Sequence, residues 1–355
     1  MSVDLADIAR KPIFFERNRV ARVYTGGKLF HGFFGDADED GFQPEEWIAS
    51  SVRALNRDSR DPDEGVSKVR GTQVTLSELI ASQKALVLGQ RDDLGILVKV
   101  LDSAVRLPVQ AHPDKPFSRR HFASDYGKAE AWIVLATREN AKLYIGFKER
   151  MTKQRFSDAV KQSERDKGAM ERIVNEIPVK KGEVYFIAPK VVHAIGYGCL
   201  ILEVQEPTDF TIQPEAWCGA YHLDDRERFL GLSPDTALDC FDYAMYGEAA
   251  AERHRMKPVV LKQETGLLSE RLIGPGDTEC FAINRHTLRG ASLPRLSAPG
   301  VYIVSEGEGA LSGPDGYRHP LNKGDYFLLP ACAAGAYAAE SNEFMELVEC
   351  LPPML

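Results

Sequence analysis

The chain has 355 residues, 44% hydrophobic and 27% charged, enough for substantial cores and, on the usual size range, two or three domains. Its formal net charge of −8 argues against a nucleic-acid footprint or an anionic-membrane partner, though not against an anionic small molecule met by a local Lys or Arg. The six cysteines (Cys199, Cys218, Cys240, Cys280, Cys332 and Cys350) include no Cys-x-x-Cys pair; they suggest neither a zinc ribbon nor a disulfide framework, and fit thiols in a reducing cytosol.

The N-terminal Met1-Ser-Val-Asp-Leu-Ala-Asp7 lacks the basic start and apolar core of a signal peptide, and no run is long enough to span a membrane, so a soluble, cytoplasmic protein is expected. Residues 12–15, 20–24, 29–34 and 47–55 read as short β segments, separated by Gly26-Gly27 and by Gly35 with a solvated acidic run over 36–40. Residues 56–72, rich in Asp and Arg, read as an exposed excursion. Thr75-Leu-Ser-Glu78 is a capping box that opens a helix to about residue 87. Strands follow at 96–101 and 105–112. A charged loop holding Lys115, Arg119, Arg120 and His121 then leads to strands at 131–137 and 141–147. The spacing of Phe156, Val160, Met170, Ile173 and Val174 predicts a helix over 152–176. Lys181-Gly-Glu183 turns into strand 184–187, Pro189 leads to His193, and 199–205 is the next strand. Ser233-Pro-Asp235 starts a helix to about residue 243, 247–258 is a connector, and β character resumes to the C-terminus.

Three pieces of this pattern carry candidate chemistry: Leu107-Pro-Val-Gln-Ala-His-Pro-Asp114, Gly127-Lys-Ala-Glu130 and Ala188-Pro-Lys-Val-Val-His193. Gln110 and His112 are two apart, so on a strand their side chains leave the same face. With Glu130 and His193 from later strands they supply two imidazoles and oxygen donors from rigid elements, the donor set a divalent metal needs. Taken singly, each favours the plainer reading of an unrelated polar residue on a β strand; taken together they favour the metal.

The chain also contains a faint copy of itself. Lys181-Gly-Glu-Val-Tyr-Phe-Ile-Ala-Pro189 matches Lys323-Gly-Asp-Tyr-Phe-Leu-Leu-Pro330 with one residue deleted, and Val301-Tyr-Ile-Val-Ser-Glu-Gly-Glu-Gly309 precedes the second copy. Strand, Gly turn, strand, Lys-Gly-Asp turn, strand, Pro is the pattern of a double-stranded β-helix of the cupin type. Four residues past each Pro stands His193 in the first copy and Ala334 in the second. The expected fold is therefore mainly β: two cupin-type jelly-roll barrels with an inserted helical segment. Residues 1–150 and 177–222 would form a catalytic barrel with the metal site, 151–176 and 223–246 helical segments, and 256–355 a metal-free C-terminal barrel. His286 and His319 are expected at the surface rather than as ligands.

Together with Ile201-Leu-Glu-Val-Gln-Glu-Pro-Thr-Asp209, these motifs resemble the type I phosphomannose isomerases, the cupin-fold zinc mannose-6-phosphate isomerases. The resemblance extends by order of elements over roughly residues 11–350. It implies zinc held by Gln110, His112, Glu130 and His193, and a sugar pocket beside it using Lys128, Glu203 and Asp209. It also implies an arginine four residues past Asp209, where this chain has Gln213. Gln cannot supply a charged fork, so either another cation (Lys115, Arg119, Arg120 or Lys190) binds substrate, or the substrate is not the usual sugar phosphate.

Aldose–ketose isomerisation moves a proton between adjacent carbons through an enediolate, which needs a positioned base and stabilisation of a developing oxyanion. Lys128 is expected to meet oxyanion or phosphate charge, Glu203 to act as base, and Asp209 to assist at hydroxyls. The leading reading is isomerisation of mannose 6-phosphate and fructose 6-phosphate. The alternatives are isomerisation of a different or unphosphorylated sugar, and a non-catalytic metal-bearing cupin that binds sugar as a sensor or partner module. A monomer and a homodimer fit equally well.

Overall fold

The computed structural model describes residues 4–56 and 59–354, and its architecture is mainly antiparallel β. A seven-stranded sheet runs in the order Arg255–Met256, Val184–Ile187, Glu130–Thr137, Cys199–Gln205, Leu97–Asp102, Glu45–Ile48, Arg19–Val20. A three-stranded sheet of Val174–Pro178, Lys142–Phe147 and His193–Ile195 accompanies it, and Trp132, Tyr185, Ile201, Leu143, Ile145 and Ile195 pack between the two. The C-terminal strands form a ten-stranded sheet centred on Gly300–Ser312, Met345–Leu351 and Ala282–Leu288. Ile13–Phe14 joins this second sheet by pairing with Tyr326–Leu329. Among the described residues no helix is long and apolar enough to cross a membrane.

The two-residue alternation of a strand decides what faces what. Along Cys199–Gln205, Leu200, Leu202 and Val204 enter a core shared with Ile283, Val301, Ile303, Val348 and Cys350 of the C-terminal sheet. Ile201 enters the opposite core, and Glu203 leaves the strand on that same side. Val98 and Val100 likewise face the shared core, which leaves Lys99 to the other side. Ala131 and Ile133 do the same for Glu130 and Trp132. One face of each strand thus joins the two sheets, and the other carries the polar candidates.

The internal repeat is present in the register as well as in the sequence. Gly182 and Gly324 both turn with positive φ (88° and 83°), a conformation that favours glycine, before their matching strands. Across the first sheet, Lys99, Glu203, Trp132 and Tyr185 form one row of paired residues. Across the second, Asn284, Glu349, Tyr302 and Phe327 form the corresponding row. Tyr185 and Phe327 are equivalent in the repeat, so Glu349 occupies the position of Glu203.

Several local expectations are corrected. Residues 29–34 form no strand but a 3-10 turn Lys28–Phe30 and a helix His31–Phe34, closed by Gly35 in the left-handed region; Phe30 and Phe33 are three apart and are both buried. Residues 105–112 form no regular strand, because Pro108 has no N–H for a ladder; only isolated bridges at Gln110 and Ala111 remain. The charged loop after it is a helix, Lys115–Phe122, capped by Asp114 with Pro116 in its first turn. The helix over 152–176 ends at Ser163, and the β-branched Val174 opens the strand Val174–Pro178. The Ser233 cap and Pro234 do start a helix, but it stops at Leu238, and the 247–258 connector holds helix Glu248–Glu252 and strand Arg255–Met256. Of the excursion over 56–72, residues 57 and 58 lie outside the described residues; Val66, Ser67 and Val69 are buried rather than exposed. His286 is buried, not at the surface. The capping box at Thr75 and Glu78 is present, on helix Leu76–Val87.

Because Leu202 packs in the core that joins the two sheets, Leu202→Ala is expected to lower unfolding free energy by about 2–5 kcal/mol. Denaturant titration with an unchanged m value would report that loss.

Candidate active site

The extended segment carrying Gln110 and His112 is held on both sides by backbone. Gln110 and His193 exchange hydrogen bonds of 2.9 Å in each direction, and Ala111 and Ile212 exchange bonds of 2.9 and 3.1 Å. The Lys190 N–H donates to the His112 carbonyl at 2.7 Å, from a left-handed turn that swings the chain towards His193. The 127–130 run is fixed from the other side. Glu206 accepts from the Ala129 N–H at 3.0 Å, Thr208 Oγ1 donates to the Gly127 carbonyl at 2.8 Å, and Lys128 N–H donates to the Pro113 carbonyl at 3.0 Å. A Cβ on Gly127 would stand 2.7 Å from that same carbonyl oxygen, so only glycine admits this close approach.

These constraints converge His112, Glu130 and His193, whose ligand atoms all lie within 4.8 Å of one another and are buried. Their protonation follows from their neighbours. His112 Nδ1 is 2.9 Å from the Phe210 carbonyl and His193 Nδ1 is 2.8 Å from the Val191 carbonyl. A carbonyl only accepts, so each Nδ1 carries the proton and each Nε2 presents a lone pair. Burial keeps both imidazoles neutral, pushing His193 down to about 3 and His112 in the same direction. Burial also favours a neutral Glu130, but the Lys128 ammonium beside it holds the carboxyl below the usual range. Its oxygens stand 3.1 Å from His112 Nε2 and 3.2 Å from His193 Nε2. Acceptors therefore face acceptors, and neither Glu130 Oε2 nor His193 Nε2 has a hydrogen-bond partner. A cation placed among these atoms satisfies them all, and the donor set can hold one metal ion.

A cavity of about 1370 Å³ opens beside the group, lined by Gln110, Lys128, Glu203, Asp209 and Gln213 among others. Lys128 Nζ lies 3.1 Å from His112 Nε2 and 3.3 Å from Glu130 Oε2. Glu203 Oε1 is buried without a hydrogen-bond partner, and burial followed by repulsion from Glu130 raises its pKa to about 7. Asp209 accepts from Arg22 Nη2 at 3.0 and 3.2 Å and from the Leu55 N–H at 2.9 Å. Gln213 spends its amide on the Glu227 carbonyl at 3.2 Å.

Lys115, Arg119, Arg120 and Lys190 do not line the cavity. Lys115 pairs with Glu279 at 3.2 Å and Arg119 with Asp125 at 2.8 Å on the outer helix. The cavity's cations are instead Arg22, Arg60, Lys99, Lys128 and Arg226. Of these, the sequence points only to Lys128; Arg22, Arg60, Lys99 and Arg226, and the acid Glu45 between Arg22 and Lys99, escape it. A signal existed for Lys99, a lone charge inside Leu97-Val-Lys-Val-Leu101, since a buried Lys requires partners. It lies 3.7, 3.9 and 3.8 Å from Glu45, Glu203 and Asp209.

Fold and site define a β protein with a buried His–Glu–His centre beside a polar cavity. No family model matches the chain. Curated relatives include mannose-6-phosphate isomerase ManA of Bacillus subtilis, 29% identical over 263 residues (72% of this chain, 76% of that protein). Mannose-6-phosphate isomerase of Streptococcus mutans is 26% identical over 326 residues (90% and 92%). Similar solved structures include the B. subtilis mannose 6-phosphate isomerase, with a TM-score of 0.74 and 23% identity over 95% of this chain and 99% of that one. A phosphomannose isomerase mutant from Salmonella typhimurium gives 0.73 and 15% over 97% and 100%. Over most of its length the chain is thus similar to proteins named mannose-6-phosphate isomerase, the resemblance its motifs imply.

Because the orphaned acceptors need a cation, chelation is expected to lower the melting temperature and divalent metal to restore it, by ligand linkage to the folded state. His193→Ala should abolish this metal-dependent shift, and elemental analysis should find its bound metal reduced.

Proposed function

We propose that this chain is a zinc-dependent aldose–ketose isomerase that interconverts mannose 6-phosphate and fructose 6-phosphate in the cytoplasm. The homology and the acceptor-lined centre support this reading. The observation that carries it is the state of Glu203. Its repeat counterpart Glu349 is satisfied by protein, accepting from Tyr302 and Asn284 at 2.7 Å each, and is held at about 2, since those donors and His286 outweigh burial. Glu203 has an unpartnered oxygen aimed among cavity residues and titrates near neutrality, the properties of a general base.

In this reading Gln110, His112, Glu130 and His193 hold the zinc, and residues 256–355 serve as a metal-free companion barrel. When bound, the ion supplies Lewis-acid polarisation of the sugar oxygens. Glu203 removes the proton from one of the two adjacent carbons and returns it to the other, through an enediolate, while the hydroxyl proton passes from one of the two oxygens to the other. Lys128 is protonated, because Glu130 and Glu203 outweigh the effect of burial, and it offers its charge to the oxyanion that develops. Asp209 holds Arg22 and the Leu55 N–H in place.

The test is turnover of mannose 6-phosphate by metal-stripped and zinc-reloaded protein side by side. Zinc-restored turnover is expected; none despite bound zinc would overturn the reading. Glu203→Gln should lower kcat by about 100-fold or more while metal binding persists. Glu203 must be ionised to act, so kcat/KM should rise with pH. The ion counters the Glu130 repulsion, so the limb should fall between the ordinary carboxylate range and about 7.

A further inference from the structure

Arg22 lies at the floor of the cavity with its side chain 14% exposed, and three elements claim its guanidinium. Nε stands 3.0 Å from Glu45 Oε1, Nη1 donates to Asn56 Oδ1 at 3.0 Å, and Nη2 donates to both oxygens of Asp209. A guanidinium has five N–H groups. Nη1 gives one of its two N–H groups to Asn56, and among the described residues its second has no protein acceptor. The partners are themselves fixed. Glu45 accepts from Tyr24 Oη and Trp47 Nε1 at 2.7 Å each, and Asn56 donates to the Ala21 carbonyl and to Glu64 at 2.8 Å each.

We propose that Arg22 is a substrate-contacting residue that donates its uncommitted N–H to a hydroxyl of the sugar. The proposal rests on the isomerase reading and adds to it the residue that recognises the polyol portion of the substrate. Charge around Arg22 selects a hydroxyl rather than the phosphate. Glu45 and Asp209 are ionised beside it, and Lys99 is shared among Glu45, Glu203 and Asp209. A dianion here would meet as much negative as positive charge, whereas a hydroxyl can accept from Arg22 and donate to a neighbouring carboxylate. Gln213 adds no charge to this cavity, and its amide nitrogen already donates to Glu227. The same guanidinium ties the Glu45 strand to the 55–56 rim, so the contact is preorganised before substrate arrives.

The experiment compares binding of mannose 6-phosphate and its 3-deoxy and 4-deoxy analogues to metal-loaded wild type and Arg22→Lys. Lysine keeps the charge that balances Glu45 and Asp209 but cannot reproduce the fork. Wild type should bind one of the two analogues about 10- to 100-fold more weakly than the parent, the value of a hydrogen bond to a charged group. In Arg22→Lys that discrimination should disappear while the melting temperature stays within a few degrees. Equal weakening of all three ligands by the substitution, or no discrimination by wild type, would overturn the proposal. Turnover by wild type is read separately. Binding without turnover defeats the isomerase reading and leaves the Arg22 comparison intact, whereas failure to bind the sugar at all defeats both.

Discussion

The centre of this protein is an arrangement of acceptors that would repel one another if left alone. Two neutral imidazoles present lone pairs to an ionised Glu130, all within a buried volume. Burying such groups unmatched costs several kcal/mol, so the surrounding structure must hold them there. It does so with main-chain bonds. Gln110 is clamped to His193, Ala111 to Ile212 and Lys190 to His112, and Glu206 and Thr208 anchor the run that ends at Glu130. The irregular backbone around these residues follows from that requirement: prolines and a left-handed Lys190 set directions that a straight strand could not.

Strand alternation then distributes labour between the two faces. The same strands that send Val98, Val100, Leu202 and Val204 into the core shared with the C-terminal sheet send Lys99 and Glu203 towards the cavity. The repeat shows how a binding site and a structural core can be built on one register. At one position stand two carboxylates, Glu203 and Glu349. Around Glu349 the chain places Tyr302, Asn284 and His286, and packs the interior with Phe327, Leu329 and Leu347. Around Glu203 it places no donor within hydrogen-bond distance of Oε1. The difference between the two acids is the supply of donors.

Much of this was legible in the residues. Repeat, Lys-Gly turns, the contrast of His193 with Ala334, and the strands around Glu130 and Glu203 all follow from period and composition. Failures occurred where long-range pairing overrode local pattern. The Leu29–Phe34 run is apolar enough for a strand, but its phenylalanines meet a core from a helix. Lys115, Arg119 and Arg120 were the obvious cations by proximity to His112, yet a helix capped by Asp114 turns them away from the cavity. Arg22 and Glu45 could not be found by any local rule, because what defines them is a partner 187 residues away in the case of Arg22 and Asp209.

Glu130 and Glu203 form one electrostatic unit. Glu130 has the Lys128 ammonium 3.3 Å away, so it stays ionised; Glu203 draws on Lys128 and on Lys99, which two other acids also claim, but burial outweighs both and its proton affinity rises. Repulsion between the two carboxylates is part of that rise. A cation held among His112, Glu130 and His193 would cancel the Glu130 charge and so ease the ionisation of Glu203. On the proposed reading, loading the centre with a cation and ionising Glu203 would therefore be coupled through Glu130, with no movement of the backbone required.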